Sequence, residues 1–364
     1  MTLITDIKNR ILPVILGSAF VIFGISLFVN SHSTKPFSEE LLIYDLIWMD
    51  AWSLAFLGIL ITFWVSKLGR NEKVIYCIGL LSIYLVVATS LILNGTPFYL
   101  FGFWGDQSFR QAMILKFADL SMPSDYYYKD LPPFYPPLYY YLQAIFARVF
   151  SVEAYKMSKL GQILIFAILP LVHFYFWRRI VAPIQAGFIT LLAFLYSNYA
   201  GALQFFSPHS FITYALFIPW WLYYIERVTK PISSWKFYVI GGVIGALLFA
   251  TYFYAFFIGG VSLLLRLVYD RIPLIKKKIG GFTHIGAFKV LIVSAVFSSP
   301  YWLPVLISII SNGIDRSRGG WYHIGYPGLD IQFVKVSIEG VALLVGTVFI
   351  FRRLKRPVNF ALAN

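Results

Sequence analysis

The chain is 364 residues long, 59% hydrophobic and only 13% charged, with a mean hydropathy of +0.74. That is more apolar surface than a water-soluble core of this size buries, so most of it is expected to face lipid. The formal charge of +14 does not point to nucleic acid, because no water-soluble stretch is long enough to form a Lys/Arg face, and the lone Cys77 excludes an intramolecular disulfide and a thiolate metal cluster.

Taken in order, the apolar runs predict an all-α polytopic membrane protein with spans at 11–29, 46–66, 74–93, 157–177, 184–203, 211–226, 237–250, 254–269, 286–310 and 336–351, about ten in all. The first run follows Lys8 and Arg10, and Asn30-Ser31-His32-Ser33 after it is a poor cleavage site, as expected of a retained signal anchor. Several runs are shorter than a straight crossing needs, which implies tilt or breaks lined by neighbouring helices. The stretch 237–269 is too long for one crossing at a rise of ~1.5 Å per residue and is expected to break near Thr251-Tyr252-Phe253-Tyr254.

Leu138–Phe150 is apolar but short and begins after Pro136-Pro137. If it lies flat on the outer surface as an amphipathic helix, about 19 of the 30 basic residues fall on the side of the N-terminus, among them Lys67, Arg70 and Lys73 and the terminal cluster Arg352, Arg353, Lys355 and Arg356. Counting it as a span puts most of those clusters outside, against the usual bias. The resulting topology is one membrane domain over 1–364 in the cytoplasmic membrane, with a large external loop at 94–156 and a second at 311–335. Asp106, Asp119, Asp125 and Asp130, four of the 16 acids, fall between residues 101 and 137 of the first loop.

Nucleotides stay in the cytoplasm, so an outward-facing enzyme draws its activated substrate from the lipid, and polyprenyl-phosphate sugars are the common answer. Transfer from such a donor needs a carboxylate to take the acceptor's proton, cations for the leaving phosphate and aromatic surface for the sugar. Asp106 lies in Trp104-Gly105-Asp106-Gln107, where it suits either a general base or the N-cap of a helix through Phe109 to Phe117. Gly102 and Gly105, which permit close approach, with Gln107 and Arg110 on the same first turn, favour the base.

Asp125 and Asp130 flank Tyr126-Tyr127-Tyr128, and the prolines beyond stiffen the segment into a candidate sugar platform. The same tyrosines suit an interfacial belt. Arg316 and Arg318 sit in a Gly-flanked loop with Trp321, Tyr322 and His323, where guanidinium groups fit a phosphate or lipid headgroups. His209, beside Pro208, is either a phosphate donor or a packing residue, and Asp50 and Glu339 are intramembrane acids. Oxygen ligation of a divalent metal by Asp106 with Asp125 or Asp130 is compatible with these residue types; no Gly-rich phosphate loop or nucleophile elbow is present.

The run Trp104-Gly105-Asp106-Gln107-Ser108-Phe109-Arg110, followed by Tyr128-Lys129-Asp130-Leu131-Pro132-Pro133-Phe134-Tyr135-Pro136-Pro137-Leu138, resembles the N-terminal membrane domain of the galactan 5-O-arabinofuranosyltransferases. Those are enzymes of the GT-C superfamily. More loosely, Thr251-Tyr252 and Ser299-Pro300-Tyr301-Trp302-Leu303-Pro304 are similar to GT-C glycosyltransferases in general. The resemblance implies a GT-C-like helix bundle, decaprenyl-phosphate arabinofuranose as donor, inversion at the anomeric carbon, and an acid of the first large external loop as base, the position of Asp106. The family also carries a long C-terminal extracytoplasmic portion, whereas this sequence stops shortly after Arg356-Pro357, so the resemblance bears on the donor more than on the acceptor. Two other readings share the span pattern: a lipid-linked sugar flippase, which calls for paired halves and midplane charges, and a non-catalytic membrane subunit.

Overall fold

The computed structural model describes residues 21–26, 28–29, 47, 50–61, 69–95, 106–119, 124–125, 131–195, 207–225, 234–269, 271 and 284–312. The described residues are helical or lie in the turns between helices. We number the helices α1 (Arg70–Ile92), α2 (Asp106–Ala118), α3 (Leu138–Val149), α4 (Met157–Trp177), α5 (Pro183–Leu195), α6 (Pro208–Trp220), α7 (Trp235–Thr251), α8 (Tyr254–Tyr269) and α9 (His284–Asn312). A further helical stretch covers Asp50–Ile61, and among the described residues three helices, Arg70–Ile92, Ala154–Trp177 and Ile285–Ser311, are long and apolar enough to cross a membrane. The expected spans at 11–29 and 336–351 lie wholly or largely outside the described residues.

Two compact units result. In the first, α1, α4 and α5 pack on one another around Leu81, Leu85, Val86, Ile163, Phe166, Leu169 and Phe194, with Phe56 and Phe211 closing the cluster. The start of α1 is held by Glu72, whose carboxylate accepts from the Gly69 amide at 3.3 Å, satisfying one of the amides that a helix N-terminus leaves bare. Beside these helices α2 lies against α3.

Helix α3 is amphipathic in the inverted sense that a lipid neighbour demands. Leu142, Ile145 and Val149, spaced three and four apart, are exposed, whereas Tyr139, Tyr140, Gln143, Ala144 and Ala147 are buried. A twelve-residue helix of about 18 Å falls short of the ~30 Å hydrocarbon core. It ends cleanly: Ser151 takes a left-handed φ of 53°, and the Val152 amide reaches back to the Ala147 carbonyl at 2.8 Å.

In the second unit α7 packs along α9. Gly241, Gly242, Gly245 and Ala246 make one buried strip of α7, and a Cβ built on Gly242 would stand 2.4 Å from the Cβ of Val293. Such close approach is how small residues join helices in lipid, where burial from water supplies no drive. The Trp220 indole donates to the Gly241 carbonyl at 2.8 Å, just before a π-helical turn at Trp221–Ile225 that follows Pro219.

The break expected near 251–254 is present. Helix α7 stops at Thr251, Tyr252 is extended at φ −165° and ψ 109°, and α8 starts at Tyr254. In α9, Pro300 has no amide to offer the Val296 carbonyl four residues back, and the Ser299 hydroxyl donates to that carbonyl instead, at 2.7 Å. The Tyr301 hydroxyl donates to the Phe134 carbonyl at 3.0 Å, tying α9 to the proline-rich residues 131–136 within the same unit.

Candidate functional site

Asp106 opens α2, and its side chain is about three-quarters exposed. One turn on, Arg110 lies beneath it, 5% exposed, and its Nη2 donates both to Asp106 Oδ2 at 3.2 Å and to Ser207 Oγ at 2.9 Å. The i,i+4 spacing brings acid and base onto one face of the helix, while Ser207, at the mouth of α6, anchors the guanidinium from outside it. A carboxylate open to ligand is thus held by a cation that is not. Its position at the helix N-terminus adds the favourable end of the backbone dipole.

Next to this pair, α2, α3, the start of α4 and the start of α6 surround a small void lined by Gln107, Arg110, Tyr139, Tyr140, Gln143 and Ser158 together with the apolar Ile114 and Pro208. Burial pushes the Tyr139 phenol well above its ordinary value, so its hydroxyl stays protonated. The Tyr140 hydroxyl bonds to His209 Nδ1 at 3.0 Å, and Ser210 Oγ to His209 Nε2 at 3.1 Å. Both ring nitrogens of His209 are therefore engaged within the protein. Tyr140→Phe is expected to lower stability by about 1–2 kcal/mol through loss of this buried bond, read as a fall in the thermal midpoint; an unchanged midpoint would mean that the bond adds nothing.

Gln111 extends the polar seam, donating to the Ala154 carbonyl at 3.2 Å and accepting from Ser158 Oγ. Lys116, in the last turn of α2, donates to the backbone carbonyl of Asp125. That contact places buried Asp125 at the end of α2 opposite Asp106, so these two acids are not brought together. Among the described residues no group of three or more His, Cys, Asp or Glu side chains is placed to hold a metal ion.

Of the residues singled out from sequence, Asp106, Gln107 and Arg110 meet on the first turn of α2, with His209 bonded to Tyr140 of the neighbouring void. Tyr126, Tyr128, Asp130, Arg316, Arg318, Trp321, His323 and Glu339 lie outside the described residues. Tyr139, Tyr140 and Gln143 were not singled out, although an amide such as Gln143 within a largely apolar helix is itself a pointer to a site.

A family model described as Arabinofuranosyltransferase N terminal matches residues 48–363 of this chain. A galactan 5-O-arabinofuranosyltransferase of Mycobacterium tuberculosis is 25% identical over 305 residues, 80% of this chain and 46% of that protein. The protein of that name in Corynebacterium glutamicum is 28% identical over 285 residues, 74% of this chain and 40% of its own. The one in Mycobacterium leprae is 23% identical over 325 residues, 83% and 50% respectively. The chain thus spans about half the length of these curated relatives, or less.

Proposed function

Since the chain belongs to the arabinofuranosyltransferase N-terminal family, we propose that it forms the membrane part of an inverting GT-C-type glycosyltransferase, which moves arabinofuranose from a polyprenyl phosphate to a hydroxyl of an extracytoplasmic cell-envelope glycan. In this reading about ten spans of the cytoplasmic membrane carry the site on the outer side. The observation that carries it is the exposed Asp106 carboxylate, oriented by buried Arg110, which also lines the adjoining void.

Asp106 takes the proton of the acceptor hydroxyl as that oxygen bonds to the anomeric carbon from the face opposite the phosphate. The bond from the anomeric carbon to the phosphate oxygen breaks, its electron pair leaves with the polyprenyl phosphate, and the configuration inverts. Arg110, buried and bonded to Asp106 at 3.2 Å, fixes and orients the carboxylate. Arg316, Arg318 and His323 are the phosphate contacts of this proposal. Gln107, Tyr126, Tyr128, Asp130 and Trp321 serve the sugar or acceptor, whereas Asp125, buried at the far end of α2, is not brought to Asp106.

Incubating the purified protein with radiolabelled prenyl-phosphate arabinofuranose and candidate glycans tests the reading. Label is expected on the acceptor. Uptake of label into vesicles without transfer would make the protein a transporter, and the absence of both transfer and uptake would make it a non-catalytic subunit. The same assay with chelator reads whether a divalent cation takes part.

A further inference from the structure

The void beside Arg110 is unusual in what lines it. Gln143 is 5% exposed, and neither its amide nitrogen nor its amide oxygen has a hydrogen-bond partner; the Tyr139 hydroxyl, equally enclosed, has none either. The Gln143 amide lies beside the Tyr139 hydroxyl, near enough to act on it as a side-chain hydrogen bond would though short of bonding geometry, and no third group among the described residues pairs with either. An apolar side chain at position 143 would avoid the penalty that each orphaned buried polar atom carries. The backbone is nevertheless shaped for the amide: a Cβ on Gly161 of α4 would stand 2.3 Å from Gln143 Nε2, so a glycine there is what lets the side chain in.

The chemistry of the vacant valences is specific. An amide and a neutral phenol each donate and accept, as a hydroxyl does; an anionic phosphate only accepts and would face the Gln143 oxygen. The space, about 10 Å³, takes one hydroxyl-sized group and no ring. Arg110 lines the same void, one helical turn from Asp106.

We infer that Tyr139 and Gln143 form a subsite that receives one hydroxyl of the donor sugar, setting which sugar is accepted while the ring itself stays outside, near Asp106. The inference rests on the glycosyltransferase reading. A flexible lipid-borne sugar has many ways to present its anomeric carbon, and one hydroxyl held in a buried socket fixes its rotation.

The test is equilibrium binding to the detergent-solubilised full chain, using a radiolabelled short-chain prenyl-phosphate arabinofuranose and its three single-deoxy analogues, for the unaltered protein, Gln143→Leu and Tyr139→Phe. One analogue is expected to bind the unaltered protein about 10- to 100-fold more weakly than the parent. Each variant is expected to bind parent and that analogue alike, at the weaker level. Without ligand, Gln143→Leu is expected to melt higher than the unaltered protein, because it removes two orphaned atoms at nearly constant volume. A lower melting point would show that the amide has a structural role and would overturn the subsite. Equal binding of parent and all analogues would also overturn it and leave the glycosyltransferase reading standing, whereas no binding of any prenyl-phosphate sugar overturns both.

Discussion

Asp106→Asn is expected to lower sugar transfer by about 10²- to 10⁴-fold, the range a positioned general base contributes, while the protein remains folded. The substitution is nearly isosteric. The asparagine oxygen can still accept from Arg110, which reaches Asp106 at 3.2 Å, so the turn keeps its geometry and loses only the ability to take a proton. The stability change is small because the carboxylate is about three-quarters exposed, and a helix-surface pair of that kind is worth only about 0.3–0.5 kcal/mol. The readout that separates the two roles is the rate: a base predicts a large fall in turnover at an unchanged melting temperature, whereas a helix cap, which asparagine supplies as well as aspartate, predicts both turnover and melting temperature intact. Turnover near that of the unaltered enzyme would remove Asp106 from the mechanism.

Those alternatives were open in the sequence because aspartate at a helix start serves both purposes equally well. The structure bears on the choice through residues that are far away in the chain. Ser207 lies 97 residues from Arg110, and nothing in the local pattern announces that it holds the guanidinium. The helices themselves were more legible. Residues 157–177 and 254–269 fold with the bounds that hydropathy suggests, and the chain breaks at Tyr252, where an uninterrupted apolar run would be too long for one crossing.

Helix α3 shows where such reading stops. Its length and the distribution of basic residues marked it as a surface helix, but only the fold shows that Tyr139, Tyr140 and Gln143 point inward and Leu142 outward. Hydropathy periodicity gives the two faces of a helix but not which of them meets protein and which meets lipid. The same limit hid Gln143, whose meaning depends on Gly161, Arg110 and Tyr139 arriving from three helices.

Gly242→Ala is expected to destabilise the protein by about 2 kcal/mol, although alanine is the better helix former. An added methyl on Gly242 would meet Val293 Cγ1 at 2.3 Å, Val293 Cβ at 2.4 Å and the Val290 carbonyl at 3.1 Å. Two of these three atoms belong to the backbone or to the root of a branched side chain, so no rotamer change relieves the contact and α7 must move away from α9. Overpacking of this kind costs up to about 3 kcal/mol, against which the gain in helix propensity returns at most about 1. Gly260, on α8 of the same unit, has nothing within 4 Å of a built Cβ, so Gly260→Ala keeps the propensity term alone and is expected to be neutral or slightly stabilising. Thermal unfolding of the two variants in one detergent compares them directly. If they melt together, the glycine strip does not hold α7 on α9, and the close packing that defines the second unit has some other source.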